Sequence, residues 1–377
     1  MNTKIAPPLH PSRWLPSLIV VLFCATSSLR AATTESNLSK SFPVKPGGQL
    51  VVEVDRGSIE IKTGDRPDVA IEVKRKITGA DTAKAQEIFA AHEVTFDQDG
   101  DHVAVRGKFK KDPNQWFNRG RINFEVQYLI SLPKQFNLDL RTAAGSITSA
   151  DIEGTVKAKT SGGNLKFSAI KGSLEANTSA GSITLASATG PVTAKTSGGN
   201  IQLGQLSADT SALTSAGSIS VETARAKLTA RTSGGNLELG ELSGPAEVET
   251  SAGSIQVHSA RGTLKAKTSG GSIEIADAQD AVTAQTSAGS VSAAFSAQPP
   301  GDCSLITSGG NVQVKLAGNL AFDVQAKTSA GRVSTELPIT STVVGESKTG
   351  VLEGKLNGGG KTLLLKTSAG NITIRKL

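Results

Sequence analysis

Side chains able to do chemistry are few in this 377-residue chain, and their spacing decides what they can do. An enzyme built on stacked strands needs carboxylates or a nucleophile with its base converging at one point. Glu175, Glu247, Glu249, Glu274 and Asp277 fall at scattered sequence positions. His92, His102 and His258 stand far apart, so no histidine recurs to activate the many Ser and Thr hydroxyls. Asp97-Gln98-Asp99-Gly100-Asp101 has the look of a calcium loop, but it lacks the third ligand before the Gly and the closing Glu, so an acidic hairpin turn is expected there. No catalytic residue, metal site or cofactor is expected. The sharper pattern is basic: Lys159, Lys195, Arg231 and Lys267 recur every 36 residues. Such a row suits a regularly spaced anionic polymer, held by many weak contacts.

What positions that row is a repeat. Thr-Ser-(Ala/Gly)-Gly-(Ser/Asn)-(Ile/Leu/Val) begins at Thr142 (with Ala143 for Ser), Thr160, Thr178, Thr196, Thr214, Thr232, Thr250, Thr268 and Thr286, at an unbroken spacing of 18 residues, then at Thr307, Thr328 and Thr367. Aliphatic residues alternate with polar ones on either side of the motif, as in Leu174 and Ala176 before it and Ile183 and Leu185 after it. Period-two alternation predicts strand, Gly-containing turn, strand, loop. Positive φ is the expected reason for the Gly at 145, 163, 181, 199, 217, 235, 253, 271 and 289. One coil carries too few aliphatic side chains to offset the entropy of ordering its backbone, so coils must stack. The expected fold class is all-β, a parallel β-solenoid of about 18-residue coils, with Ile183 between Leu165 and Ile201. Ala-Gly-Ser and Gly-Gly-Asn copies alternate, which also allows a 36-residue coil. That coil would stack the four basic residues directly at the ~4.8 Å strand spacing, where like charges repel, so 18 is favoured.

Three segments follow. Residues 1–31 read as a signal peptide: Lys4 and Arg13 precede the apolar run Leu15–Ala25, and no acid occurs before Glu35. That run is short of the ~20 residues of a membrane span, so no stable span is expected in the mature chain. Its removal leaves 37 basic against 33 acidic residues, too mild a balance to imply nucleic acid. Only Cys303 remains, which excludes an internal disulfide and reads as a buried small hydrophobe. Residues 33–140 hold seven Phe, Trp116 and Tyr128, and read as a β-rich N-terminal capping region. Strands are expected at Gln49–Val54, Ser58–Lys62, Val69–Lys76, His102–Phe109 and Ile122–Leu132, with one short helix over Asp81–His92, capped by Asp81 and burying Ala85, Ile88 and Phe89. Residues 141–377 are the repeats, with just three aromatics, as suits a thin core. Pro338–Gly360 breaks their register, and no sorting motif or anchor follows, which argues against an autotransporter passenger.

Val44-Lys45-Pro46-Gly47-Gly48, Asp55-Arg56-Gly57-Ser58-Ile59, Leu132-Pro133-Lys134, Leu138-Asp139-Leu140-Arg141-Thr142 and the Gly-Ser-Ile or Gly-Gly-Asn repeats together resemble a bacterial family of adhesin-like β-strand-repeat proteins, a domain of unknown function. The resemblance covers nearly the whole mature chain and implies a β-helical exported or envelope protein with no catalytic residues to transfer. The expected function is thus a non-catalytic exported scaffold in the periplasm, on the cell surface or outside the cell. It would contact an anionic envelope polymer, a surface protein or another copy of itself. A carbohydrate-active β-helix enzyme and a purely structural envelope protein are the alternatives.

Overall fold

Alternating aliphatic and polar residues make strands with one dry face, and two such faces per coil close on each other. The computed structural model describes residues 33–110, 114–117, 122–341 and 350–377. The segment read as a signal peptide lies outside the described residues, apart from which no helix is long and apolar enough to cross a membrane.

Each coil contributes one short strand to one sheet and one longer strand to the other. Leu174–Asn177, Val192–Lys195, Thr210–Leu213, Leu228–Arg231 and their counterparts form the first, here the narrow sheet. Ile183–Ala188, Ile201–Leu206, Ile219–Ala224 and Leu237–Leu242 belong to the second, the broad sheet. All these strands pair in parallel, residue n with residue n+18: Leu174 with Val192, Ile183 with Ile201, Lys195 with Leu213. The coil is therefore 18 residues, and the 36-residue alternative is excluded. Ile183 does lie between Leu165 and Ile201. Columns of aliphatic residues from both sheets fill the interior, and Phe167, Phe295 and Phe322 are fully buried among them.

The turn joining the two strands corrects one expectation. Of the nine repeat glycines, only Gly145 has a φ in the left-handed range, at 151°. The others are required by stacking: a Cβ on Gly181, Gly199 or Gly217 would collide with the carbonyl oxygen of the Gly one coil before. The preceding position has room, since a Cβ on Gly198 would meet nothing nearer than 3.6 Å. This is why Ala and Gly alternate there freely. The motif Thr is buried and knots neighbouring turns. Thr196 Oγ1 donates to the Gly181 carbonyl at 2.9 Å and accepts from Gly199 N–H at 3.3 Å. The Ser/Asn position forms a further ladder along the axis: Ser182 N–H donates to Asn164 Oδ1 at 2.8 Å, and Asn200 N–H to Ser182 Oγ at 3.2 Å.

Both sheets continue into residues 33–140. Gln49–Arg56 pairs in parallel with Asn137–Ala144, and Ser58–Gly64 with Ile147–Ser149, so residues 49–64 form a coil of their own. Gly57, with φ 126°, takes the turn position, and its carbonyl accepts from Thr142 Oγ1. The next coil outward is His102–Phe109 with Asn123–Pro133, followed by antiparallel strands: His92–Asp99 on the narrow sheet, Asp68–Thr78 and Thr33–Pro43 on the broad one. Helix Thr82–Ala91 has Asp81 as N-cap, accepting from Lys84 N–H at 2.7 Å, and buries Ala85, Ile88 and Phe89 as expected. A single helical turn at Asn114–Phe117 was not expected.

At the far end the order in space departs from the order in sequence. Lys361–Thr367 lies between Cys303–Ile306 and Phe322–Thr328, and Ile372–Lys376 between Val312–Leu316 and Val333–Thr335. The last coil of the chain is thus an interior coil. Antiparallel Val351–Leu356 and Ile339–Thr340 complete the narrow sheet beyond it.

Candidate binding faces

A strand buries every second side chain, so each sheet turns its remaining residues outward in columns that run along the solenoid axis. On the narrow sheet one column reads Arg141, Lys159, Asn177, Lys195, Leu213, Arg231, Glu249, Lys267, Gln285. Lys159, Lys195, Arg231 and Lys267 are all exposed and stand two coils apart, about 9–10 Å at the ordinary strand spacing. Their surroundings differ. Arg231 bonds Glu247 at 2.7 Å and approaches Glu249 at 3.6 Å, and Glu249 lies 3.9 Å from Lys267. Lys159 and Lys195 enter no ion pair among the described residues. Glu247 and Glu249, scattered in sequence, are therefore companions of the basic row.

The broad sheet carries a second pattern that sequence spacing alone did not bring out. Outward columns place Glu238 and Glu274 on either side of Gln256, and Glu222 and His258 on either side of Gly240. These residues line a shallow depression of about 500 Å³ floored by Gly240 and Ala276. Glu241 and Asp277 stand in the adjoining column, again 36 residues apart. Glu274 and Asp277 thus have partners two coils away. The missed signal was present: Glu238/Glu274 and Glu241/Asp277 repeat with the same 36-residue period as the basic row. Glu238 and Glu274 stand two strand spacings apart, about 9–10 Å along the sheet, at the upper edge of the carboxyl separation of an inverting glycosidase. All four glutamates here are exposed on one open face, however, and a general acid needs a sheltered carboxyl that keeps its proton.

Other candidates are accounted for locally. In the acidic loop, Asp97 pairs with Arg106 at 2.9 Å, Asp101 accepts from Lys45 N–H at 2.8 Å, and Gly100 turns the hairpin with φ 58°. Among the described residues no group of three His, Cys, Asp or Glu is placed to hold a metal ion. Cys303 is buried in an aliphatic column beside Leu363, and burial pushes its thiol up to about 11, which makes it unreactive. His92 is buried against Phe109 and Phe124 with both ring nitrogens unpartnered, and burial first, then the Arg75 charge, brings it down to about 4. Arg75 itself donates to the carbonyls of Phe89 and His92 at 3.1 Å each. Nearby, burial raises the Tyr128 phenol, whose hydroxyl lacks a hydrogen-bond partner and faces Gly107.

With this geometry in place, the chain can be compared with known proteins. No curated protein matches it. Solved structures similar to it include a "putative adhesin" from Bacteroides fragilis, at 12% identity and TM-score 0.28, over 91% of this chain and 97% of that one. A "putative cell adhesion protein" from Clostridium sporogenes has 10% identity and TM-score 0.17, over 91% and 100%. A "putative lipid binding protein" from Parabacteroides distasonis has 14% identity and TM-score 0.32, over 75% and 95%. At such scores these likenesses add nothing about function. The family model is decisive: Toastrack DUF4097 matches residues 48–297 and 257–375, nearly all of the coil-forming sequence, and the chain belongs to that family.

Proposed function

We propose that this protein is a non-catalytic scaffold, exported through residues 1–31, that binds a cell-envelope partner along one side of its solenoid. The observation that carries the reading is the row Lys159, Lys195, Arg231 and Lys267, exposed and repeated every second coil on the narrow sheet. A rigid ladder of cations suits an anionic polymer, because each further contact is made at high effective concentration once the first has formed. Lys159 and Lys195, free of internal acids, make the stronger half; Arg231 and Lys267 share their charge with Glu247 and Glu249.

The test uses the mature chain from Thr33, applied to envelope glycans and anionic polymers at low and high salt. Salt-sensitive binding to one polymer class is expected, with at least a tenfold loss of affinity when all four residues are changed to Gln. Equal binding by the Gln variant, or silence across the array, would remove the polymer reading.

A further inference from the structure

The two faces of the solenoid carry opposite charge on the same ruler. Between residues 201 and 278 the broad-sheet strands contain Glu222, Glu238, Glu241, Glu274 and Asp277, and not one Lys or Arg. The four glutamates are exposed and enter no ion pair among the described residues. On the opposite side, the narrow sheet presents Lys159, Lys195, Arg231 and Lys267. Both sheets rise by one strand spacing per coil, so any two residues 36 apart are separated by the same distance on either face. Glu238 to Glu274 and Glu241 to Asp277 therefore match Lys159 to Lys195, or Arg231 to Lys267, charge for charge.

We propose that the acidic broad-sheet face of one copy docks side by side on the basic row of a second copy. The inference rests on reading that row as a docking surface and names its partner as this same chain. Because the two contacting faces differ, every docked pair still offers one free acidic face, on one copy, and one free basic face, on the other. Association is consequently open-ended and does not stop at a closed dimer. The contact is made of exposed charges, so salt must dissolve it. On the narrow face Arg231 and Lys267 share their charge with Glu247 and Glu249, whereas Lys159 and Lys195 enter no ion pair among the described residues. The open depression at Gly240 leaves Glu222, Glu238 and Glu274 free to reach those two lysines of a second copy.

Sedimentation of the mature chain at about 10 mM and about 1 M salt, where the Debye length falls from ~30 Å to ~3 Å, tests this. At low salt the average mass should exceed the monomer's and keep rising with concentration; at high salt it should be the monomer's. The broad-face variant E222K/E238K/E241K/E274K and the narrow-face variant K159E/K195E/R231E/K267E should each stay monomeric. Mixing the two should restore association, since each then complements the other, and this shows that both still fold. A wild-type chain that remains monomeric at low salt overturns the proposal, as does a broad-face variant that associates like wild type, or an inverted pair that fails to associate when mixed. Polymer binding is read separately on E222Q/E238Q/E241Q/E274Q, which removes the acidic face, adds no cation and leaves the basic row intact. Polymer binding by a chain that never self-associates would leave the scaffold reading standing and remove this one. Self-association without polymer binding would do the reverse.

Discussion

At the residue scale, the turn glycines separate two demands that look alike in sequence. Gly217 must be Gly because a Cβ would strike the Gly199 carbonyl of the coil before, whereas Gly198 is only one of two small residues its site accepts. Gly217→Ala should destabilise by about 1–3 kcal/mol, as overpacking against backbone does, while Gly198→Ala should stay within about 0.5 kcal/mol. Thermal unfolding of the two variants side by side checks this; equal shifts would contradict the stacking account. The buried imidazole of His92 belongs at the same scale. It is held neutral down to about 4, against an ordinary value near 6.5, so the unfolded chain takes up a proton between these values that the folded chain refuses. Its contribution is complete above pH 6.5 and is lost as pH falls toward 4, by about 3 kcal/mol at most. His92→Phe should flatten the stability slope of the N-terminal region between pH 6.5 and 5, where carboxylates contribute little. An unchanged slope in denaturant titrations at the two pH values would exclude His92 as its source.

At the scale of elements, the coil is the unit that sequence shows best. The 18-residue motif spacing, the aliphatic alternation and the helix cap at Asp81 each depend on neighbouring residues, and the structure returns them nearly unchanged. Less visible was whatever depends on contact between coils. Positive φ was the local explanation for the turn Gly, but the operative cause is a carbonyl 18 residues earlier. Thr33–Pro43 also escaped notice, because an edge strand with one half-covered face lacks the strong alternation of an inner one. The charged columns were half legible: the basic row stood out by its regularity, whereas Glu238 and Glu274 acquire meaning only once both sheets have a register. If the coil is the unit, removing residues 199–216 should leave a shorter, folded solenoid, since Gly217 then follows Gly198 and every column stays in phase. Removing 207–215, half a coil, should not, because it sets one sheet's strand against the other's. Circular dichroism and solubility of the two deletions distinguish these outcomes.

Across the whole molecule, a continuous aliphatic interior gives length without giving ends, and the ends are where the regular pattern stops. Antiparallel strands lie beyond the parallel coils of both sheets at the N-terminal end and of the narrow sheet at the C-terminal end, so a partner strand meets edges there of different direction and register from those inside. The broad sheet's C-terminal edge is the three-residue strand Val333–Thr335. The C-terminal arrangement was illegible in sequence, since nothing in Thr362–Lys366 or Asn371–Arg375 distinguishes an interior coil from a final one. Its consequence concerns time. A polypeptide is made from its N-terminus, so residues 322–335 exist before 361–376 do, yet the later segment must lie between them and residues 303–316. Growth of the solenoid by adding each coil as it emerges therefore works only as far as residue 316. Beyond that, the chain must keep a place open, or reopen it, for residues not yet synthesised, and these coils close only once residues 361–376 have been made.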